Sequence, residues 1–354
     1  MKKKALLVCP ELHKQGGVSS YCRISLPFLD KVEVFTVGTR SDERSALFGI
    51  AARLIGDYWR FLRLVVSNRY RLVHLNPSLG FRALMRDGIL ILIAKALGSR
   101  VLVFIHGWDH DCEARIREKH LGLFRLVFFR ADTIIVLAGE FRDKLREMGY
   151  TKPIHVEVTN VETMIFENPS YAREYSDRTF NVLYLSRIER EKGIYEALDA
   201  FRLLGNPHSR LIVAGDGLEF AGAKRYAEVQ GIENVNFTGY ITGSAKHKAF
   251  LEADVFLFPT YGEGLPISVL EAMAYGLPVI TRPVGGIKDF FVNGTMGYLI
   301  ESKEPRDFAE LMGTLLRDPE SLERIGTFNR NYAREHFGAD RVASRLQDIY
   351  GQLC

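Results

Sequence analysis

The chain has 354 residues, a length that suits two domains, with 47% hydrophobic and 25% charged residues. That composition is ordinary for a globular protein able to bury a core, and it excludes fibrous and low-complexity classes. The net charge of +4 hides an asymmetry: residues 1–165 carry 26 Lys and Arg against 17 Asp and Glu, whereas residues 166–354 carry 21 against 26.

In chain order, the first half reads as short apolar runs separated by longer helical patterns. The expected strands are 5–9, 32–37, 72–76, 100–106, 133–138 and 154–158. The opening "MKKKALLVCP" is basic, but its apolar run is too short for a signal peptide, so it reads as the first strand. Between the strands lie helical patterns at 18–30, 47–66, 81–97, 117–130 and 140–148. Residues 166–178, "FENPSYAREYSDR", read as a linker. A second alternation follows, with strands at 180–186, 210–215, 235–239, 255–259, 278–281 and 297–300, and the helical pattern 341–353 closes the chain. The strand runs are continuous rather than alternating, which fits parallel sheets covered on both faces. The expected fold class is therefore α/β, two doubly wound domains with a cleft between them.

The cysteines, Cys9, Cys22, Cys112 and Cys354, show no CxxC spacing, so a reducing, cytoplasmic setting is expected. No apolar run reaches about 18 residues, so no membrane-spanning helix is expected. The basic half fits either a solvated surface or an anionic membrane surface. Nucleic acid is not an expected partner, because no nucleic-acid module is visible.

In such folds ligands sit beyond the carboxyl ends of the strands. Gly16 and Gly17 follow the first strand and precede a helix, so their backbone can approach an anion, although a tight turn explains them equally well. Neither a GxGxxG fingerprint nor a Walker A loop is present: "GDGLEF" has Phe220 where the third glycine belongs. Arg187 and Lys192, in the loop "SRIEREKG", suit a pyrophosphate or, with Glu189, Arg190 and Glu191 beside them, a solvated loop. The stretch "YGEGLPISVLEAMAYGLPVI" (261–280) reads as a buried helix with two carboxylates, Glu263 at its mouth and Glu271 within it. Pro266 fits the first helical turn. Helical side chains tilt toward the N-terminus, so Glu271 can lean back toward Glu263 and the two can receive sugar hydroxyls. The competing readings are compensation of the helix dipole for Glu263 and a buried ion pair for Glu271.

Taken together, "PTYGEGLPISVLEAMAYGLPVITRPVGG" resembles the retaining glycosyltransferases of family 4, of GT-B fold. The resemblance rests on Glu263, Glu271, Gly276, Pro278, Gly285 and Gly286, and is extended by "GGVSSY", "VFIHG", "SRIEREKG" and "VNFTGYI". It implies two Rossmann-like domains facing a central cleft: an acceptor-side domain, 1–168, joined by a C-terminal helix, 338–354, and a nucleotide-sugar-binding domain, 169–337. It further implies that Arg187 and Lys192 bind the donor diphosphate, that Glu271 binds the ribose, and that Glu263 with Gly264 and Leu265 contacts the donor sugar. Tyr240 and Ile241 would read the base, Asp216 and Gly217 would line that pocket, and Gly16 and Gly17 would approach the phosphates. His106 would sit near sugar and acceptor, although a lone histidine at a strand end is more often structural. The implied activity is retaining transfer of a sugar from a UDP- or GDP-sugar to a glycan or lipid-linked acceptor. The rivals are a GT-B nucleotide-sugar epimerase and a non-catalytic nucleotide-sugar-binding protein.

The sequence departs from the family pattern at Ser186, Asp289 and Pro27, and in "VTNVE" (158–162), which lacks the usual Pro and Gly around Asn160. "DHD" at 109–111 matches an Asp-x-Asp metal motif formally but lies away from the proposed diphosphate site, so no metal or other cofactor is expected to be required. Two segments, 53–66 and 115–130, mix cations with bulky apolar groups, as helices lying on anionic lipid do.

Overall fold

The computed structural model describes residues 5–38, 47–167 and 179–354, the side chains of 47–52 excepted. The expected linker falls almost entirely in 168–178, outside the described residues. The chain forms two compact units, Met1–Asn160 with Ala339–Cys354, and Val161–Gly338.

The apolar runs of the first unit become six parallel strands: β1 (Ala5–Cys9), β2 (Val32–Thr36), β3 (Leu72–Leu75), β4 (Arg100–Ile105), β5 (Thr133–Val136) and β6 (Ile154–Val156). Their order is β2-β1-β3-β4-β5-β6. Strands β1, β3 and β5 are buried throughout, because helices cover both faces, while edge strands β2 and β6 are only partly buried. Leu6, Val73, Val101 and Ile134 from the sheet meet Leu90 and Ile91 from the helix Phe81–Ala96 in one core.

The second unit repeats the design with β7 (Phe180–Leu185), β8 (Ser209–Ala214), β9 (Val235–Gly239), β10 (Val255–Phe258), β11 (Val279–Thr281) and β12 (Gly297–Leu299). The order is β12-β11-β10-β7-β8-β9, all parallel. Successive strands run outward one way from β7, then resume beside it at β10. The strand order thus reverses between β7 and β10, and doubly wound sheets bind ligands in the crevice beyond the carboxyl ends at such a reversal.

Three local features differ from the sequence expectation. The first helix ends at Ser25, and Pro27 sits in a short 3₁₀ turn, Leu26–Phe28, because proline has no N–H to continue the ladder. The pattern expected as one helix over 117–130 is three pieces: α-helix His110–Arg115, a π turn Ile116–His120 and α-helix Leu121–Phe128. Pro266 is the N-cap of the helix Ile267–Ala274, one residue before its first turn.

The units divide at Asn160/Val161 and Gly338/Ala339, against 168/169 and 337/338 expected from sequence. Residues 161–167 join the second unit through hydrogen bonds: Val161 N–H donates to Phe337 O, and Arg330 donates to Ile165 O and Ala274 O. The final helix, Ala339–Leu353, belongs to the first unit. There Tyr350 Oη lies 2.6 Å from His74 Nδ1, Arg345 pairs with Glu157 at 2.9 Å, and Gln347 donates to Phe28 O. Among the described residues no helix is long and apolar enough to cross a membrane.

Candidate functional site

Two glycine-bound loops clamp the segment that follows β10 at the switch point of the second unit. The loop after β7 carries Arg187 and a 3₁₀ turn, Arg190–Lys192, and ends at Gly193, whose φ of 74° is left-handed. A Cβ on Gly193 would lie 2.2 Å from Pro259 O, so only glycine lets this loop press against the end of β10. The loop after β11 does the same from the other side. A Cβ on Gly285 (φ 50°) would lie 2.2 Å from Glu263 O, and Gly286 N–H donates to Gly264 O at 2.8 Å. The segment Thr260–Leu265 is thus clamped between neighbouring backbones.

Lys192 is nearly buried, and its ammonium donates to Glu263 Oε1 at 2.6 Å and to Gly262 O at 3.1 Å. Tyr184 Oη, from the buried end of β7, holds Lys192 O at 3.0 Å. Thr260, fully buried, places its hydroxyl 3.4 Å from the same Glu263 oxygen. This is a fixed cation and a fixed carboxylate at the sheet's switch point. Arg187 behaves differently: its side chain is 70% exposed and, among the described residues, donates to Glu189 alone, at 2.7 Å. The structure therefore brings Lys192 and Glu263 together and leaves Arg187 reaching into solvent on the same loop.

Glu271 lies on the helix Ile267–Ala274, only 8% exposed among Leu270, Ala272 and Met273. Its Oε1 accepts from Lys246 Nζ at 2.6 Å. Burial is the largest influence on this carboxyl and pushes it above the usual glutamate range, against the pull of the Lys246 ammonium. Lys246 is a residue that sequence reading missed. The contact spans 25 positions, and "GSAKHKAF" gives no local sign of it. Tyr240 and Ile241 lie on the loop after β9, with Tyr240 53% exposed. Asp216 and Gly217 are exposed on the loop after β8, where Asp216 Oδ1 accepts from Gly217 N–H at 2.8 Å. Leu265 is buried and Gly264 partly buried at the mouth of the glutamate helix.

In the first unit the end of β4 carries a neutral, hydrogen-bonded histidine. His106 follows β4 and packs on Phe104 (centroids 3.9 Å) and Tyr21 (4.7 Å). Its Nε2 lies 2.8 Å from Asn76 Oδ1, while Asn76 Nδ2 donates to Val8 O. Asn76 is thus oriented as acceptor, which makes His106 Nε2 the donor and Nδ1 the acceptor nitrogen. Burial pushes the imidazole down to about 3, so it is neutral near pH 7. Gly16 (φ 143°) is the N-cap of the helix Gly17–Ser25, and a Cβ there would meet nothing within 4 Å. The Asp-x-Asp pair divides its work: Asp109 Oδ1 caps the helix His110–Arg115 through Cys112 N–H, and Asp111 is exposed in the first turn. Among the described residues no group of three or more His, Cys, Asp or Glu could hold a metal ion.

The comparisons with known proteins bear on the same unit. Residues 172–332 match the family model for glycosyl transferases group 1. That match takes in nearly the whole second unit and somewhat under half of the chain. Among curated proteins, the glycogen synthase of Mycobacterium tuberculosis is 24% identical over 62% of this chain and 54% of its own length. The capsular polysaccharide biosynthesis glycosyltransferase CapM of Staphylococcus aureus is 25% identical over 64% of this chain and 63% of its own length. The aligned part thus spans between about half and two thirds of these relatives. Anabaena Alr3699/HepE, solved in complex with UDP and glucose, superposes with a TM-score of 0.76 over 99% of both chains at 18% identity. The fold is that of the GT-B glycosyltransferases: two parallel six-stranded sheets with surrounding helices.

Proposed function

We propose that the protein is a retaining glycosyltransferase that moves a sugar from a nucleotide-diphosphate sugar, UDP- or GDP-linked, to a glycan or lipid-linked acceptor in cell-surface polysaccharide or glycolipid synthesis. The observation that carries the reading is the Lys192–Glu263 pair, clamped at the switch point of the second sheet. Departure of a nucleoside diphosphate leaves negative charge on the phosphates and positive charge on the sugar ring. A nearly buried ammonium and an adjoining carboxylate, both fixed before the reaction, suit those two charges. Lys192 is assigned to the diphosphate together with Arg187, whose exposed guanidinium supplies a forked contact. Glu263, with the backbone of Gly264 and Leu265, is assigned to the donor sugar. Glu271 is assigned to the ribose hydroxyls, Tyr240 and Ile241 to the base, and Asp216 and Gly217 to the wall of that pocket.

The first unit is assigned to the acceptor, with His106 offering the Nδ1 lone pair and Gly16 and Gly17 an open backbone. Since Glu263 is already engaged by Lys192, we favour front-face attack over a glutamyl-linked intermediate. Work at the inner face of the membrane, in the cytoplasm, and independence from metal belong to the same proposal. The test is turnover of UDP- and GDP-sugars with NMR of the product. Retention of the donor's anomeric configuration, with rate unchanged by a chelator, supports the reading. Epimerised nucleotide-sugar without transfer, an inverted product, or a rate lost to chelation and restored by magnesium contradicts the corresponding part of it.

A further inference from the structure

The helix Phe81–Ala96 is apolar on two faces. Leu84, Leu90, Ile91 and Ala94 are buried against the first sheet, while Phe81, Met85, Ile89 and Leu92, spaced four, four and three apart, are 39–50% exposed. A surface helix normally keeps its outer face polar. Here the outer face forms one wall of an open groove of about 340 Å³, whose other wall is the segment His110–Phe128 with Leu123 and Ile116. The size is in the range of small-molecule sites. At its floor the walls touch: a Cβ on Gly88 would come within 3.0 Å of Val127. The far wall is reshaped by the π turn Ile116–His120, which contributes Ile116 and His120 to the lining.

The described residues lining this groove include the cationic Arg115 and the titratable His120, and no carboxylate. Exposed Arg82 and Lys119 stand on the same two walls, and neither they nor Arg115 has an ion-pair partner among the described residues. Of the nearby carboxylates, Asp87 is engaged by Arg86 and Glu113 by Arg117 and Lys144, while exposed Asp111 and Glu118 stand on the far-wall segment outside the lining of the groove. An apolar trough with a cationic rim complements a molecule that has a hydrocarbon chain and an anionic head.

We propose that this groove holds the hydrocarbon chain of an anionic membrane lipid, with Arg115 and His120 at its head group. The inference rests on the membrane-facing part of the proposed function and not on the transferase chemistry. The test is co-sedimentation with vesicles of phosphatidylcholine mixed with phosphatidylglycerol, against phosphatidylcholine alone. The expected result is binding to the anionic vesicles only. Ile89→Glu and Leu123→Glu should each lower it by about tenfold or more, and Arg115→Glu by about fivefold or more, the last loss shrinking at high salt. Nucleotide affinity and circular dichroism, unchanged in all three, show that the variants are folded. Equal binding of all variants overturns the groove while leaving a membrane surface elsewhere. No binding by the parent protein overturns both. A dimer that Ile89→Glu converts to monomer, without vesicle binding, assigns the face to a second copy and also overturns the inference.

Discussion

The two units are both parallel six-stranded sheets, and they differ in strand order and in what they place at their strand ends. At the switch point of the second sheet stands an ion pair, Lys192 with Glu263, clamped by glycines that tolerate no Cβ. At the end of β4 in the first sheet stands a neutral histidine stacked between aromatic rings and tied to an asparagine. The second unit therefore offers fixed charge at its switch point, and the first an uncharged hydrogen-bonding pair, His106 with Asn76, at the end of β4. Fixed charges suit a diphosphate, and a neutral imidazole suits a hydroxyl acceptor.

The comparison breaks most severely if the charged site is rigid and a clamp is disturbed. Gly193→Ala forces a Cβ against Pro259 O at 2.2 Å in a left-handed backbone. It should abolish nucleotide binding and lower stability by roughly 2–3 kcal/mol, read by titration and thermal melting. Retained affinity would show that the loop does not need its clamp. Next in size, Lys192→Ala should cut turnover by about 10²–10³-fold. An Arg at that position should restore only part of it, because the nearly enclosed site fits a compact ammonium.

Histidine linkage then sharpens the neutral half. The folded-state pKa of His106 lies below its ordinary value of 6.5, at about 3. The stability it lends is therefore present above about pH 6.5 and is lost as pH falls toward 3. His74, fully buried, is depressed in the same direction by burial and, less, by His106. Denaturant unfolding of the parent should weaken by up to about 1.4 kcal/mol per pH unit from His106 across that window, with His74 adding in the same direction, and His106→Gln should flatten the slope. An unchanged slope would mean that His106 titrates normally. The smallest effect expected is from Tyr350→Phe, which removes the 2.6 Å bond to His74 and should cost about 1–2 kcal/mol by denaturant unfolding.

Central strands such as β1, β3, β5 and β10 are readable from sequence because strands of a parallel sheet covered on both faces are largely unbroken apolar runs, whereas the edge strands β2, β6 and β9 carry polar residues. What escaped was fixed by local backbone or by distant partners. The π turn at Ile116–His120, IREKH, contains no glycine or proline to mark a break in the helix. Lys246 meets Glu271 only through the fold, so the buried carboxylate was legible but its cation was not. Lys192 and Glu263 were each singled out as facing a ligand, yet nothing in the sequence pairs them with each other. That pairing needs β7 and β10 to be neighbours, which is a property of strand order and not of spacing.

The most direct test of the charged site is calorimetric titration of the protein with UDP, GDP and ADP, repeated on Arg187→Ala. The exposed Arg187 side chain bears little of the fold, so its loss should leave the melting temperature unchanged. The account predicts that UDP or GDP binds and that the affinity falls by about tenfold or more in the variant, as loss of a charge-assisted contact requires. Binding that is unaffected by Arg187→Ala, or no binding to UDP or GDP by the parent protein, would contradict the assignment of the second unit's crevice to a nucleotide-sugar diphosphate.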